Sequence, residues 1–176
     1  MRRTSVIVLA IAAFAVATGA ALAANAHFKK GSPVFTSNTS ALTLSASGVI
    51  AGLGNGDIVV RLDGSGTANL LCTNPGGSSK VPGQNPNFSA SGAGAVPASA
   101  VKNGNASFGV TTNPPESPVP GAPDCPNAGW TETITSITWT SARIRVFQPC
   151  TDTVTPEVTC GQPVLDQTFS GPPFPL

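Results

Sequence analysis

The sequence ALTLSASGVIAGLGNGDIVVRLDGSGTANLLC, residues 41–72, decides the fold. Apolar or small residues occur at every second position in both halves, namely at Leu42, Leu44, Ala46, Gly48 and Ile50, and then at Ile58, Val60 and Leu62. A period of two is typical of a β-strand with one buried face. The glycines of AGLGNG, between the halves, allow the positive φ angles that turns need. We therefore predict two strands joined by a tight turn.

Further alternating segments predict that the rest of the chain is β-structure as well. Short strands are expected at residues 34–36, 88–95, 106–110 and 165–169, and residues 130–148 have room for two more. About seven to nine short strands separated by Gly, Pro and Asn turns are typical of an immunoglobulin-like antiparallel β-sandwich. The predicted fold class is therefore all-β, with a single sandwich domain. A barrel remains the alternative, because the sequence does not reveal strand order.

The first 26 residues have the pattern of a secretory signal peptide. Two arginines precede an apolar run at residues 6–16, which is shorter than a membrane-spanning helix needs. Two A-x-A patterns predict cleavage after Ala23 or after Ala26. We therefore predict a secreted, extracellular protein with a β-sandwich domain at residues 27–176 and no membrane span after signal removal. An uncleaved anchor is the alternative.

The charge balance argues against nucleic acid and anionic lipid as partners. The chain has nine basic and eight acidic residues, and loss of Arg2 and Arg3 with the signal peptide leaves seven basic residues and a formal charge of −1. So small a charge gives no general electrostatic attraction to nucleic acid or anionic lipid. The expected partner is an extracellular or cell-envelope ligand, and no nucleic acid.

Four cysteines in an exported chain predict two disulfides, for which three connectivities exist. Cys150 and Cys160 flank a loop between two strand-like segments, so a bond between them would close its neck. That pairing leaves Cys72 to bond with Cys125. Metal ligation is the competing interpretation, but the sequence has no C-x-x-C and its single histidine is His27.

Two long loops share a pattern of T-N-P, V-P-G and P-N, at residues 73–87 and 112–127. A bond between Cys72 and Cys125 would hold both loops at one end of the domain. Long loops on a rigid scaffold often carry recognition. The structural alternative, which composition alone favours, is that Pro restricts the unfolded loops and Asn forms turns.

A hypothetical binding edge on these loops consists of Asn74, Asn113, Asn127 and Trp130. Trp130 follows the second loop, where its indole could stack on a sugar or a peptide, and a place in the core is its alternative. Trp139 alternates with the apolar residues of its strand and is expected in the core. We predict a non-catalytic binding or structural protein of the extracellular or envelope space.

No catalytic residues and no cofactor are predicted. The sequence has neither a G-x-S-x-G elbow nor a Walker loop. Asp57 and Asp63 share a strand face, but Arg61 lies between them, which favours a solvated charge cluster. The alternative function is copper binding, because processing that leaves His27 at the amino terminus would combine an imidazole with a terminal amine. The second histidine of a histidine brace is absent from the sequence.

Five segments resemble a group of small secreted actinobacterial proteins: AHFKKGSPVF, SGVIAGLGNGD, CTNPGGSSKVPGQNP, KNGNASFGVTTNPP and GAPDCPNAGWTETITSITWTSA. The resemblance covers most of the chain after the signal peptide and is specific in the loops. The insert between Cys150 and Cys160 departs from the pattern. The group has no assigned activity, so the resemblance implies export and an all-β domain and transfers no site.

Overall fold

A computed structural model describes residues 25–119, 125–127, 129–151 and 159–170. The predicted signal peptide lies outside these residues, except for its last two positions. The described residues form eleven strands and one short 3-10 helix: β1 His27–Phe28, β2 Val34–Asn38, β3 Thr43–Ala51, β4 Ile58–Thr73, β5 Lys80–Pro82, β6 Asn87–Val96, the 3-10 helix Ala98–Ala100, β7 Ala106–Thr111, β8 Thr131–Phe147, β9 Cys150–Thr151, β10 Thr159–Cys160 and β11 Pro163–Ser170. Seven of these strands have five or more residues, and four have two or three. No helix in the described part of the chain is long and apolar enough to cross a membrane.

The longer strands form two antiparallel sheets. In the first sheet, β3 pairs with β7 on one side and with β1 and β2, one after the other, on its other side. In the second sheet, β8 lies between β11 and β4, and the far side of β4 pairs with β6 and β5. The prediction of all-β structure is therefore confirmed for the residues that the structure describes, and the two sheets enclose one main core.

The alternating residues of β3 and β4 form the centre of this core. Leu44 and Ile50 from β3 and Ile58 and Leu62 from β4 are completely buried. Side chains of this size each contribute about 1.5–3 kcal/mol when they leave water. The period of two therefore identified the buried face of both strands correctly.

The connection between these strands differs from the prediction. β3 and β4 do not form a hairpin, because they belong to different sheets and residues 52–57 carry the chain across from one to the other. Leu53 in this connection is buried, and its N–H donates to the carbonyl oxygen of Gly104 at 3.0 Å. Leu53 thus anchors the connection in the interior, whereas Gly52 and Asn55 are exposed.

The prediction of two strands within residues 130–148 is also wrong, since β8 is one strand of 17 residues. Its pairing with β4 shifts twice, so that Thr135 and Thr140 have no partner in the ladder. The two hydroxyl groups donate to carbonyl oxygens of β4, from Thr135 to Asn69 at 3.0 Å and from Thr140 to Ser65 at 3.2 Å. These β-bulges bend the strand without ending it.

Glycines allow the two sheets to approach along one edge. A Cβ atom on Gly92 of β6 would lie 1.9 Å from the carbonyl oxygen of Thr111 on β7, and one on Gly94 would lie 2.8 Å from that of Gly109. Real Cβ atoms do not come so close to backbone atoms. The Gly-rich sequence of β6 therefore brings the backbones of the two sheets into contact on this side.

Candidate functional site

Both predicted disulfides are present. Cys72, near the end of β4, bonds to Cys125 with a Cα–Cα distance of 5.7 Å. Cys150 bonds to Cys160 and joins the short strands β9 and β10. The first bond attaches the loop after β7 to the end of β4, where the loop after β4 begins. The two loops are therefore neighbours, as the sequence predicted.

Their shared pattern does not reflect a shared structure. Val81 of the first V-P-G lies in β5 and is exposed, whereas Val119 of the second is buried. Val119 packs with Ala68, Leu70 and Ile134 in a smaller core beside the main one. The second loop is thus anchored by its own apolar residue, and the resemblance between the loops concerns composition.

An open cleft of about 530 Å³ lies where the second loop meets β8. Its lining combines an aromatic ring, an amide, a carboxylate and hydroxyl groups, and consists of Ser117, Pro118, Cys125, Asn127, Trp130, Thr131 and Glu132. We call this the Trp130 cleft. The structure therefore brings together two of the four predicted binding residues, Asn127 and Trp130.

Hydrogen bonds within a turn set the positions of these two residues. Trp130 donates its backbone N–H to the carbonyl oxygen of Asn127 at 3.0 Å, and Gly129 donates its N–H to Asn127 Oδ1 at 3.1 Å. An Asn side chain that accepts a backbone N–H two residues on forms an Asx turn. The turn places Trp130, which is half-buried, directly before β8.

Glu132 forms another part of the lining and was not among the predicted site residues. Its Oε1 accepts the backbone N–H of Val119 at 3.0 Å, so it ties the second loop to β8. The available signal was its charge, since Glu132 is the one charged residue in the sequence WTETITSITWTSA. Its contact with a loop 13 residues earlier was not visible in that segment.

Asn74 and Asn113, the other predicted binding residues, do not line the Trp130 cleft. Asn74 stabilises its own turn, because its Oδ1 accepts the N–H of Ser79 at 3.0 Å. Asn113 lies beside β6 and donates its N–H to the carbonyl oxygen of Ser91 at 2.8 Å. The structure therefore places the four predicted binding residues in three separate environments: Asn74 in a turn, Asn113 beside β6, and Asn127 with Trp130 in the cleft.

The two tryptophans have different environments. Trp139 is buried in the main core, as predicted, with its ring centroid 5.2 Å from that of Phe88. A Cβ atom on Gly64 would lie 2.6 Å from Cζ3 of Trp139, so this position needs glycine. Trp130 is the tryptophan that a ligand can reach.

Asp63 lies on β4 and Asp57 immediately precedes that strand, so the two do not share a strand face as predicted, and both carboxylates are engaged in structural contacts. Asp63 Oδ2 accepts hydrogen bonds from Arg145 at 2.7 and 3.2 Å. Asp57 Oδ1 accepts the backbone N–H of Ala98 at 2.8 Å. The guanidinium of Arg61 lies 5.4 Å from the ring centroid of Phe147. These contacts agree with a charge cluster on a solvated face.

His27 is exposed in β1, and its Nδ1 donates to the carbonyl oxygen of Asn25 at 2.8 Å. That hydrogen bond leaves Nε2 as the nitrogen that could bind a metal ion. Among the described residues there is no group of three or more His, Cys, Asp and Glu side chains that could hold a metal ion.

Comparison with known proteins gives no relative from which a role could be transferred. No family model matches the chain, and neither a curated protein nor a solved structure is significantly similar to it.

Proposed function

We propose that this chain is a secreted, non-catalytic binding protein of the extracellular or envelope space, with an immunoglobulin-like sandwich as its scaffold. Its ligand is a neutral saccharide that binds in the Trp130 cleft. The observation that carries the proposal is the combination of Trp130, Asn127 and Glu132 in one open cleft. The apolar face of a sugar ring stacks on an indole, and its hydroxyl groups bond to amides and carboxylates.

Two contacts that restrain the lining of the cleft support a role in binding. The disulfide of Cys125 holds one side of it to β4, and the hydrogen bond between Glu132 and Val119 holds the loop to β8. A site whose groups are already in place loses little conformational entropy when a ligand binds. Glu132 then serves as a fixed hydrogen-bond acceptor.

The two disulfides support the extracellular location, since such bonds persist in oxidising compartments. The predicted cleavage after Ala23 has further support from Ala26, which packs against the main core. Processing after Ala26 would remove that contact.

Co-sedimentation with insoluble cell-wall and polysaccharide preparations tests the proposal. We expect the full-length chain to sediment with at least one preparation. Trp130→Ala should weaken that binding roughly tenfold or more, because buried aromatic contacts dominate such sites. Val34→Ala is the matched control, since it removes an exposed apolar side chain from the other sheet. Equal binding by both variants would contradict the proposal.

Copper binding at His27 remains the alternative proposal, and its support is the exposed imidazole, whose Nε2 has no hydrogen-bond partner among the described residues. It requires processing that brings the terminal amine close to His27. Mass spectrometry of the mature protein tests that requirement, and copper titration against His27→Ala tests the binding itself. A mature chain that begins at Ala24 would rule out a histidine brace.

A further inference from the structure

Three arginines project from the outer face of the second sheet, and two of them have carboxylate partners. Arg145 donates both of its hydrogen bonds to one oxygen of Asp63, and Arg143 bonds to both oxygens of Asp166. The register places Arg61 directly opposite Arg145. Like charges in that position repel each other. Within the described part of the chain, Arg61 forms no salt bridge.

Arg61 and Arg145 border a depression of about 260 Å³ that is separate from the Trp130 cleft. Its lining consists of Arg61, Asp63, Ser91, Gly92, Ala93, Asn113 and Arg145. We call it the Arg61 depression. Small residues of β6 lie between the arginines on one side and Asn113 on the other.

The contact between the two sheets fixes this shape. Gly92 has no space for a side chain, because a Cβ atom there would lie 1.9 Å from the carbonyl oxygen of Thr111. The N–H of Asn113 donates to the carbonyl oxygen of Ser91, which holds Asn113 against the edge of β6. The depression is therefore built into the fold.

We propose that the Arg61 depression binds a carboxylate group of a ligand. Arg61 supplies a planar guanidinium fork that matches the two oxygens of a carboxylate. The amide of Asn113 and the hydroxyl of Ser91 add neutral hydrogen-bonding groups. Binding would also place a negative charge beside two arginines that now face each other.

The charge of the lining selects a monoanion. Arg61 and Arg145 carry two positive charges and Asp63 carries one negative charge, so the lining has a formal charge of +1. A carboxylate neutralises this charge. A phosphate dianion would exceed it and would lie close to Asp63, which repels it. This chemistry is found in uronic acid residues of acidic polysaccharides and in the free carboxyl termini of peptides.

The test is an NMR titration of the full-length chain with two probes, a galacturonic acid oligomer and a short peptide that has uncharged side chains and a free carboxyl terminus. Each probe has an amidated counterpart that lacks the negative charge. We expect the backbone amide signals of Ser91, Ala93 and Asn113 to shift with one carboxylate probe and not with its amide. The probe that binds identifies the source of the carboxylate.

Variants separate a specific site from general attraction. Arg61→Gln should weaken binding of the carboxylate probe roughly tenfold, because charge-assisted hydrogen bonds are lost. Arg61→Lys keeps the positive charge but loses the guanidinium fork. Its affinity for the carboxylate probe should therefore lie between those of the natural chain and Arg61→Gln. Arg143→Gln is the control, since it removes the same charge from the same face outside the depression. Failure of both carboxylate probes, equal binding of the amides, or an equal loss with Arg143→Gln would overturn the proposal.

Discussion

The side-chain amide of Gln148 bonds to both backbone groups of Gly54. Its Oε1 accepts the N–H at 2.8 Å, and its Nε2 donates to the carbonyl oxygen at 2.8 Å and to that of Gly56 at 3.0 Å. Gln148 is buried immediately after β8. One side chain of the second sheet therefore holds the connection through which the chain leaves the first sheet.

Gln148→Leu should lower the free energy of unfolding by about 1–3 kcal/mol, because it leaves buried backbone groups of Gly54 without partners. Urea denaturation measures this change. Gln167→Leu is the control, because Gln167 of β11 is exposed, and it should change stability by less than about 0.5 kcal/mol. Equal effects of the two substitutions would show that the contact with Gly54 contributes nothing.

Gly92→Ala tests the contact between β6 and β7. The new methyl group would collide with the carbonyl oxygen of Thr111, and we expect a loss of about 1–3 kcal/mol or more in unfolding free energy. Gly109→Ala is the matched control, because a Cβ atom there meets nothing within 4 Å. If thermal denaturation finds both variants equally stable, the sheets do not meet along this edge as described.

The bulges of β8 make a third prediction. Thr140→Val keeps the branched shape but loses the hydrogen bond to Ser65, so it should cost about 0.5–1.5 kcal/mol. Thr138→Val is the control, since Thr138 occupies a regular ladder position opposite Thr67. A larger loss of stability in the control would contradict a role of the Thr140 hydroxyl in the bulge.

The ion pair between Arg143 and Asp166 predicts a dependence of stability on pH. The hydrogen bond from Arg143 lowers the pKa of Asp166 below its ordinary value of 3.8. A carboxyl whose pKa is lower in the folded state stabilises the fold above its unfolded pKa, and this contribution disappears as the pH falls through the folded pKa.

Asp166→Asn should therefore be less stable than the natural chain near neutral pH, and the difference should shrink as the pH falls below about 3.8. Urea denaturation from pH 7 to pH 2 measures it. A difference that stays constant over this range would exclude the ionised Asp166 as its source.

Local pattern was sufficient to predict most of the longer strands and both disulfides, but it divided the single strand β8 into two. The alternation that buries Leu44 and Ile50 can be recognised within the sequence of a single strand. The short spacing of Cys150 and Cys160 favoured a bond between them and left one pairing for the other two cysteines. The sheet to which a strand belongs depends on distant contacts. Gln148 and Gly54 are 94 positions apart, and nothing near either residue reveals their hydrogen bonds.

The same reason explains why the structure brings together only part of the predicted binding edge. Asn127 and Trp130 are close in sequence, so one turn brings them together. Asn74 and Asn113 occupy the same position of the shared T-N-P motif, but Asn74 bonds to Ser79 within its own turn and Asn113 bonds to Ser91 of β6. Glu132 joins the site through its contact with Val119, and Arg61 faces Arg145 through the register of β4 and β8. Neither arrangement follows from local pattern.

The most direct test of the proposed binding function uses the indole N–H signals of the two tryptophans. The full-length chain, labelled with ¹⁵N, is titrated with soluble neutral oligosaccharides of glucose and of N-acetylglucosamine. Trp139 serves as an internal control, because it is buried in the core. We predict that the Trp130 signal shifts and saturates with at least one oligosaccharide while the Trp139 signal stays in place. A Trp130 signal that none of them moves would contradict saccharide binding in the cleft.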